Sequence, residues 1–477
     1  MITRYDSLLI GDDPVTPANG SMISVVSPNT EEVIAEVPEA GPADADAAVA
    51  AARAAFPAWR ALAPAERAAH LRRLADLIEA RRDRFAELVS AQNGMPMAVA
   101  SQLEARYPAL LLRYYADLVA GQREEDREGL LGGTIKVLRE PVGVVAAIVP
   151  WNFPQTLGFM KIAPALAAGC TVVVKPSPET VLDAFLLART AIDAGLPPGV
   201  LTIVPGGREL GAHLVAHPGV DKVAFTGSTA AGREIAQTCG RLLRPVTLEL
   251  GGKSAAIVLD DADLDLGTIG ADLFVATLAN NGQTCFLGTR VLAPRHRYAE
   301  VVDAFTAFAG SMTVGDSLDP GTRIGPMATA GQRDRVESYI ARGRAEGGRV
   351  TTGGGRPAGR DRGWFVEPTV FADVGNDATV CREEIFGPVL TVIPYRDEDE
   401  AVRIANDSDY GLGGTVWSAD PDRALRLARR VHTGTIGVNR YAPDPAAPFG
   451  GVKDSGIGRE LGPEGLAGYQ QFKSIYC

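Results

Sequence analysis

Three segments carry residue types suited to attack on a carbonyl. Cys285 lies in NNGQTCFLGTR, behind Gly282, which allows a tight backbone turn before the thiol. It is read either as a buried structural cysteine or as a nucleophile, whose usual pKa of ~8.5 must then be lowered or met by a nearby base. Glu249 ends the apolar stretch of LELGGKS, where a carboxylate is costly unless solvated, paired or functional. It is either an ion-pair partner of Lys253 at i+4 or a general base with a raised pKa. Asn152, in PWNFP, is either a turn former or an uncharged oxyanion donor.

A second group of residues suits a nucleotide. FTGSTAAG, Phe225–Gly232, reads as strand, Gly-Ser turn and helix, where free N–H groups and the helix dipole hold phosphate. Lys175 ends TVVVK at the carboxyl end of a strand, where a ribose or phosphate is met. No G-x-G-x-x-G occurs, so the ordinary dinucleotide fingerprint is missing. The five histidines, His70, His213, His217, His296 and His432, lie outside these segments and read as surface or core residues. That weakens a Cys–His hydrolase. With no histidine pair read at ligand spacing and no C-x-x-C, no metal site is expected.

The elements that must position these residues follow from periodicity. From Pro42 to about Asn93 the pattern is helical, with Leu71, Leu74, Ile78, Phe85 and Leu88 on one face and Pro64 in a first turn. A further helix is expected near Leu103–Ala120, then a polar break at Gly121–Gly129. TIKVLRE alternates as an exposed antiparallel strand does, whereas VGVVAAIVP reads as a strand buried on both faces. Strand and helix then alternate through CTVVVKP, LTIVPG, KVAFTGS and RPVTLELGG, the signature of a parallel doubly wound sheet that binds ligands at its strands' carboxyl ends. After Lys253 a second α/β portion contains a helix across Leu266–Asn280, a long helix Gly331–Gly347 and further strands, and GYQQFKSIYC closes as a strand.

The chain has 477 residues, suggesting two to four domains at roughly 100–200 residues each. Its net charge of −11 argues against nucleic acid or an anionic membrane as partner. No apolar run reaches the ~18 residues of a membrane span. The N-terminus lacks a signal-peptide pattern. The odd count of five unpaired cysteines points to a reducing, cytoplasmic setting. Seven lysines stand against 40 arginines, so a lysine at a motif position carries weight.

Taken together, the strings VVAAIVPWNFP, VVVKPSPET, VPGG, KVAFTGST, LELGGKS, NNGQTC, EEIFGPVL, NDSDYGLGG and PFGGVKDSGIGRELG, in this order, resemble the NAD(P)-dependent aldehyde dehydrogenase superfamily of the hydrolytic type. The resemblance runs from Ser27 to the C-terminus. It implies an α/β fold of two doubly wound parallel-sheet domains with a small β bridging arm. On this reading residues 1–120 and 143–252 form a dinucleotide-binding domain, 253–450 a catalytic domain, and 121–142 with 466–477 an oligomerisation arm. Cys285 would attack the aldehyde as thiolate, with the Asn152 amide and the Cys285 N–H holding the oxyanion. Glu249 would activate water to hydrolyse the thioester. Pro150, Trp151 and Leu250 would line the cofactor cleft, and Lys175 with Ser177 would meet the adenine ribose. Gly207, Gly211 and Phe225 would lie beside the adenosine, Gly227 and Ser228 at the pyrophosphate, and Glu384 and Phe386 at the nicotinamide end.

Three departures from the family pattern shape the expectations. Phe286 and Leu287 follow the nucleophile where small residues are usual, which implies a tight apolar pocket walled by Phe153, Leu157, Met160 and Phe286. Pro178 stands where NAD-preferring members carry an acid, so NAD is expected with NADP not excluded on charge. Arg440, in NRYAPDPAAPFGG, is either a surface arginine or an anchor for an acidic aldehyde. The expected activity is oxidation of a hydrophobic aliphatic or aromatic aldehyde to its acid by a dimer or tetramer. The alternatives are a CoA-acylating relative, which has no use for Glu249, and a catalytically silent binding protein on the same fold.

Overall fold

The computed structural model describes residues 3–17 and 19–477. Two parallel sheets form its centre. The first has the strand order Leu201–Ile203, Thr171–Lys175, Val144–Ile148, Lys222–Thr226, Val246–Glu249 and Gly456–Ile457, parallel except for the last. The strands before Gly456 thus run 3-2-1-4-5 in chain order, so the winding reverses between Val144–Ile148 and Lys222–Thr226. Ligands of doubly wound sheets bind outside the carboxyl ends at such a reversal. Every residue of Val144–Ile148 is buried, because helices cover both faces.

The second sheet has the order Arg349–Thr352, Thr369–Ala372, Val389–Tyr395, Arg290–Pro294, Ala255–Val258, Gly414–Trp417 and Gly437–Val438, with only the first strand antiparallel. A separate arm pairs Glu125–Glu128, Thr134–Pro141 and Gln470–Tyr476 antiparallel, so the polar break contains a strand of the arm itself. The N-terminal strands Thr3–Arg4, Met22–Val26 and Val33–Pro38 form a further small sheet that alternation alone did not reveal.

Pro42–Ala61 packs on the first sheet, while Pro64–Ala80 and Arg82–Asn93 pack on other helices, and Leu71, Leu74, Ile78, Phe85 and Leu88 are buried. The helix expected from Leu103 begins regular α geometry only at Tyr107, after a π-turn over Ser101–Arg106. Pro108 has no N–H to give the Glu104 carbonyl four residues back, which favours the wider turn. The helix expected to reach Asn280 ends at Thr277, since Asn280 and Asn281 adopt left-handed φ of 52° and 60°.

The chain past Gly450 returns to the first sheet. Gly456–Ile457 pairs with the end of Val246–Glu249, and Glu460 reaches the helix Pro154–Ala168. There the Lys161 ammonium donates to Glu460 Oε1 at 2.7 Å, Thr226 Oγ1 at 2.6 Å and the Leu157 carbonyl at 3.3 Å. Both members of this ion pair are buried. Removing one charge strands the other without water, at a cost of about 3–5 kcal/mol, whereas replacing both with apolar groups is far milder. Lys161→Met is therefore expected to lower the midpoint of chemical denaturation sharply, and Lys161→Met/Glu460→Leu to restore much of it.

Candidate active site

The sheet reversal opens onto a cleft. Pro150 and Trp151 leave the strand Val144–Ile148, and Gly227 and Ser228 leave Lys222–Thr226 beside them. A cavity of about 290 Å³ is lined by Pro150, Trp151, Asn152, Thr226, Gly227, Ser228, Leu250, Gly251, Cys285, Gln332, Arg335, Glu384 and Phe386. It continues past Pro150, Trp151 and Gly227 into a cleft of about 790 Å³ lined by Lys175, Ser177, Glu179, Gly207, Arg208, Gly211 and Phe225. Ser228 caps the helix Thr229–Arg241, its Oγ accepting the Ala231 N–H, and this helix N-terminus meets the cleft where a phosphate would be favoured. A Cβ on Gly227 would overlap the Phe225 ring, and one on Gly232 would overlap Leu250, so both glycines serve close packing.

Lys175 lies on the floor of the larger cleft. Its ammonium donates to the carbonyls of Pro176 at 2.9 Å and Gly206 at 2.8 Å. Burial pushes its pKa down to about 8, with Glu179 and Glu39 opposing. Ser177 donates its hydroxyl to Glu179, which brings a carboxylate beside Lys175 despite Pro178.

Cys285 follows a loop pinned at several points. Asn281 donates to the carbonyls of Gly94 at 2.9 Å and Pro326 at 3.0 Å and accepts the Gly325 N–H at 2.7 Å. Gly282 has φ 74°, and a Cβ there would run into the Gly387 carbonyl. The Asn152 Nδ2 donates to the Gln283 carbonyl at 3.0 Å, which fixes the amide plane and leaves its second N–H free to point elsewhere. Asn280 Nδ2 donates to the Asn152 carbonyl at 2.8 Å, tying the two loops a second time.

Gly251 and Gly252 explain the glycine pair after Glu249. A Cβ on Gly252 would overlap the Cys285 carbonyl, and one on Gly251 would fall 2.7 Å from Glu384 Oε2. The Gly252 N–H donates to Glu384 Oε1 at 2.9 Å. The Glu249 carboxylate is buried, and neither oxygen has a hydrogen-bond partner among the described residues. The ion pair with Lys253 that the spacing allows is not formed. Burial raises the Glu249 pKa well above the carboxylate range, the Glu460 charge adds to this, and Lys161 and Arg459 oppose it. Burial also raises the Cys285 thiol, followed by the charges of Glu249 and Glu384, while the N–H groups of Cys285 and Phe286 draw it back.

Beyond Cys285 lies an aromatic wall. Phe286 stacks on Tyr441 with centroids 4.3 Å apart and meets Phe449 edge-on at 6.4 Å. Phe153, Leu157 and Met160 are buried in the same apolar cluster as these rings, and none of the four expected pocket residues, Phe286 included, lines either cleft. Arg440 is exposed and has no ion-pair partner among the described residues.

Periodicity missed the residues that support the site from distant segments. Gln332 donates to the Phe386 carbonyl at 2.6 Å and Arg335 to the Glu384 carbonyl at 2.5 Å, holding a loop in which Phe386 has φ 63°. Trp151 packs edge-on against Phe386 at 5.4 Å. Lys161 had a signal, a lysine inside the apolar helix of FMKIAPALAA.

The reading that no histidines stand at ligand spacing is corrected. His213 and His217 are four apart, and with Asp46 they bring one ligand atom each within 4.8 Å of one another. His217 Nδ1 accepts the Gly219 N–H at 2.9 Å, so its Nε2 carries the proton and donates toward Asp46 Oδ1 at 3.3 Å. That tautomer suits a hydrogen-bonded trio, whereas a metal at Nε2 needs the proton on Nδ1.

The aldehyde dehydrogenase family model matches residues 15–475. A geranial dehydrogenase of Castellaniella defragrans is 57% identical over 479 residues, covering 100% of this chain and 99% of that protein. A Mycobacterium tuberculosis aldehyde dehydrogenase solved with NAD+ superposes with TM-score 0.96 at 47% identity, over 100% of this chain and 99% of that one. A mutant aldehyde dehydrogenase C of Pseudomonas syringae, solved with NAD+ and octanal, gives TM-score 0.95 at 41% identity, over 99% and 96%. The chain belongs to the aldehyde dehydrogenase family and is an enzyme of its reaction class.

Proposed function

We propose that the enzyme oxidises apolar aldehydes to carboxylic acids with NAD, through a covalent adduct on Cys285. The observation that carries this reading is that Cys285, Asn152, Glu384, Phe386, Gly227 and Ser228 line one cavity. The dinucleotide fits the continuous cleft. The adenosine would lie over Lys175, Ser177, Gly207, Gly211 and Phe225, the pyrophosphate at Gly227–Ser228, and the nicotinamide ribose by Glu384, with Pro150, Trp151, Leu250 and Phe386 as walls. When bound, NAD supplies the hydride acceptor.

The protein's own part is positioning and proton handling. Cys285 gives its proton up and attacks the carbonyl carbon, and the free Asn152 N–H with the Cys285 backbone N–H takes the oxyanion. Each such donor is worth about 10²–10³ in rate. Glu249, held basic by burial, removes a proton from water to hydrolyse the thioester. Lys161 lies next to it and steadies its charge, while Glu460 opposes that charge and keeps the carboxyl basic. A CoA-acylating enzyme would need no such base, so Glu249 favours the hydrolytic route.

Phe286, Tyr441 and Phe449 favour an apolar substrate, with Phe153, Leu157 and Met160 backing the wall. The geranial-oxidising and octanal-bound relatives support a branched or linear aliphatic aldehyde. On the arm, Phe472 is 63% and Tyr476 80% exposed, which suits a homo-oligomer whose subunit number light scattering measures. Catalysis by a thiolate suits a reducing cytoplasm.

Cys285→Ala is expected to abolish aldehyde-dependent NADH formation while NAD still binds, as fluorescence titration would show. Glu249→Gln should retain a first NADH burst and lose steady turnover, with free acid as the wild-type product. Acyl-CoA as the product would overturn the hydrolytic assignment. Because thiol and carboxyl must both be deprotonated and burial raises both, kcat/KM should climb as pH rises above neutrality. Glu179 repels a 2′-phosphate, so Glu179→Gln is expected to raise NADP use relative to NAD by about tenfold, and equal ratios in both enzymes would refute that role.

A further inference from the structure

We propose that Glu104 is a positioning residue for the Asn152 amide. Glu104 sits on the π-turn Ser101–Arg106 and is fully buried. Its Oε2 accepts the Gln155 N–H at 2.7 Å and its Oε1 the Thr156 N–H at 3.4 Å. These are first-turn N–H groups of the helix Pro154–Ala168, which the loop carrying Trp151, Asn152 and Phe153 enters. Glu104 thus caps that helix from another segment, and Thr156 ties the same two segments again by donating its hydroxyl to the Leu103 carbonyl.

The carboxylate has no cationic partner among the described residues, and the charged group that faces it, Asp183, repels it. Packing alone needs no acid there. Burial raises its pKa to about 8, and the pair of N–H groups with the positive end of the helix draw it back toward the charged form, so the cycle below is run above that pH. The surrounding grip is directed at the same loop. Asn93 Nδ2 donates to the Trp151 carbonyl at 3.1 Å and the Asn152 carbonyl at 3.4 Å. Gln155 Nε2 donates to Asp183 Oδ2 at 2.5 Å, and Gln92 Nε2 to Asp183 Oδ1 at 2.5 Å. These bonds hold backbone or helix start, so with one Asn152 N–H tied to the Gln283 carbonyl at 3.0 Å, the direction of the second is set by where the loop is anchored. The π-turn is what delivers Glu104 to this place.

The proposal rests on Asn152 being an oxyanion donor, and a double-mutant cycle separates the two claims. In Glu104→Gln an NH₂ group replaces one acceptor and faces the Thr156 N–H. Single-turnover NADH formation should slow about tenfold or more, since small misplacement of a catalytic group has effects of that size. NAD affinity and the thermal unfolding midpoint should stay near wild type. In an Asn152→Ala background the same substitution should change the rate by less than about twofold. An equal slowing in both backgrounds, or no slowing in the wild type, overturns the positioning role. If Asn152→Ala itself runs at the wild-type rate, the oxyanion assignment fails and takes this proposal with it. Should Glu104→Gln unfold at assay temperature, Glu104→Asp, which keeps the charge and withdraws it by one methylene, is run through the same cycle and read the same way.

Discussion

The backbone of Gly252 lies so close to the Cys285 carbonyl that a single methyl group would not fit between them. This contact joins the two large sheets beside Cys285 and Glu249. Glu249 ends a strand of the first sheet, and Cys285 precedes a strand of the second. Only a glycine pair lets the strand end, the Cys285 loop and Glu384 share so small a volume. Gly282 against Gly387 and Gly251 against Glu384 repeat the device.

Much of the outer work is done by helix starts that share buried acids. Asp183 takes two side-chain amides, Gln92 and Gln155, and Glu104 takes two backbone N–H groups. Burial pushes the Asp183 pKa up to about 6 and that of Glu104 up to about 8. Both groups are tolerated inside because N–H groups and helix dipoles replace the lost water. On the other side of the site the Lys161–Glu460 pair performs the same replacement with a full charge. Glu249 differs from all of these, since it is buried with no hydrogen-bond partner among the described residues and its pKa stays well above the carboxylate range.

The alternation of apolar strands and amphipathic helices was legible because burial on one or two faces is written locally. VGVVAAIVP and TVVVK could hardly be other than core strands. The reactive segments were legible because glycine, proline and asparagine in NNGQTC and PWNFP announce unusual backbone. The Asn-Asn pair before Gly282 could have warned that the preceding helix ends early. What stayed hidden depends on partners far along the chain. Lys161 meets Glu460 299 residues away, and Gln332 meets Phe386. Tyr441 joins the aromatic cluster behind Cys285 only through stacking on Phe286. The π-turn also escaped, because its cause, Pro108, looks like an ordinary first-turn proline.

The scarcity of lysine takes on a meaning when donors are counted. An ammonium has three N–H groups and a guanidinium five in a rigid fork. At Lys161 the chain presents three acceptors, Leu157, Thr226 and Glu460, so the cation is saturated and arginine would bring two donors with nowhere to go. At Lys175 it presents two carbonyls, Pro176 and Gly206, which leaves one N–H over in the floor of the cleft. Lys161 and Lys175 thus differ by a single unfilled valence. The first is complete as the chain folds, and the second keeps one donor uncommitted beside the cleft.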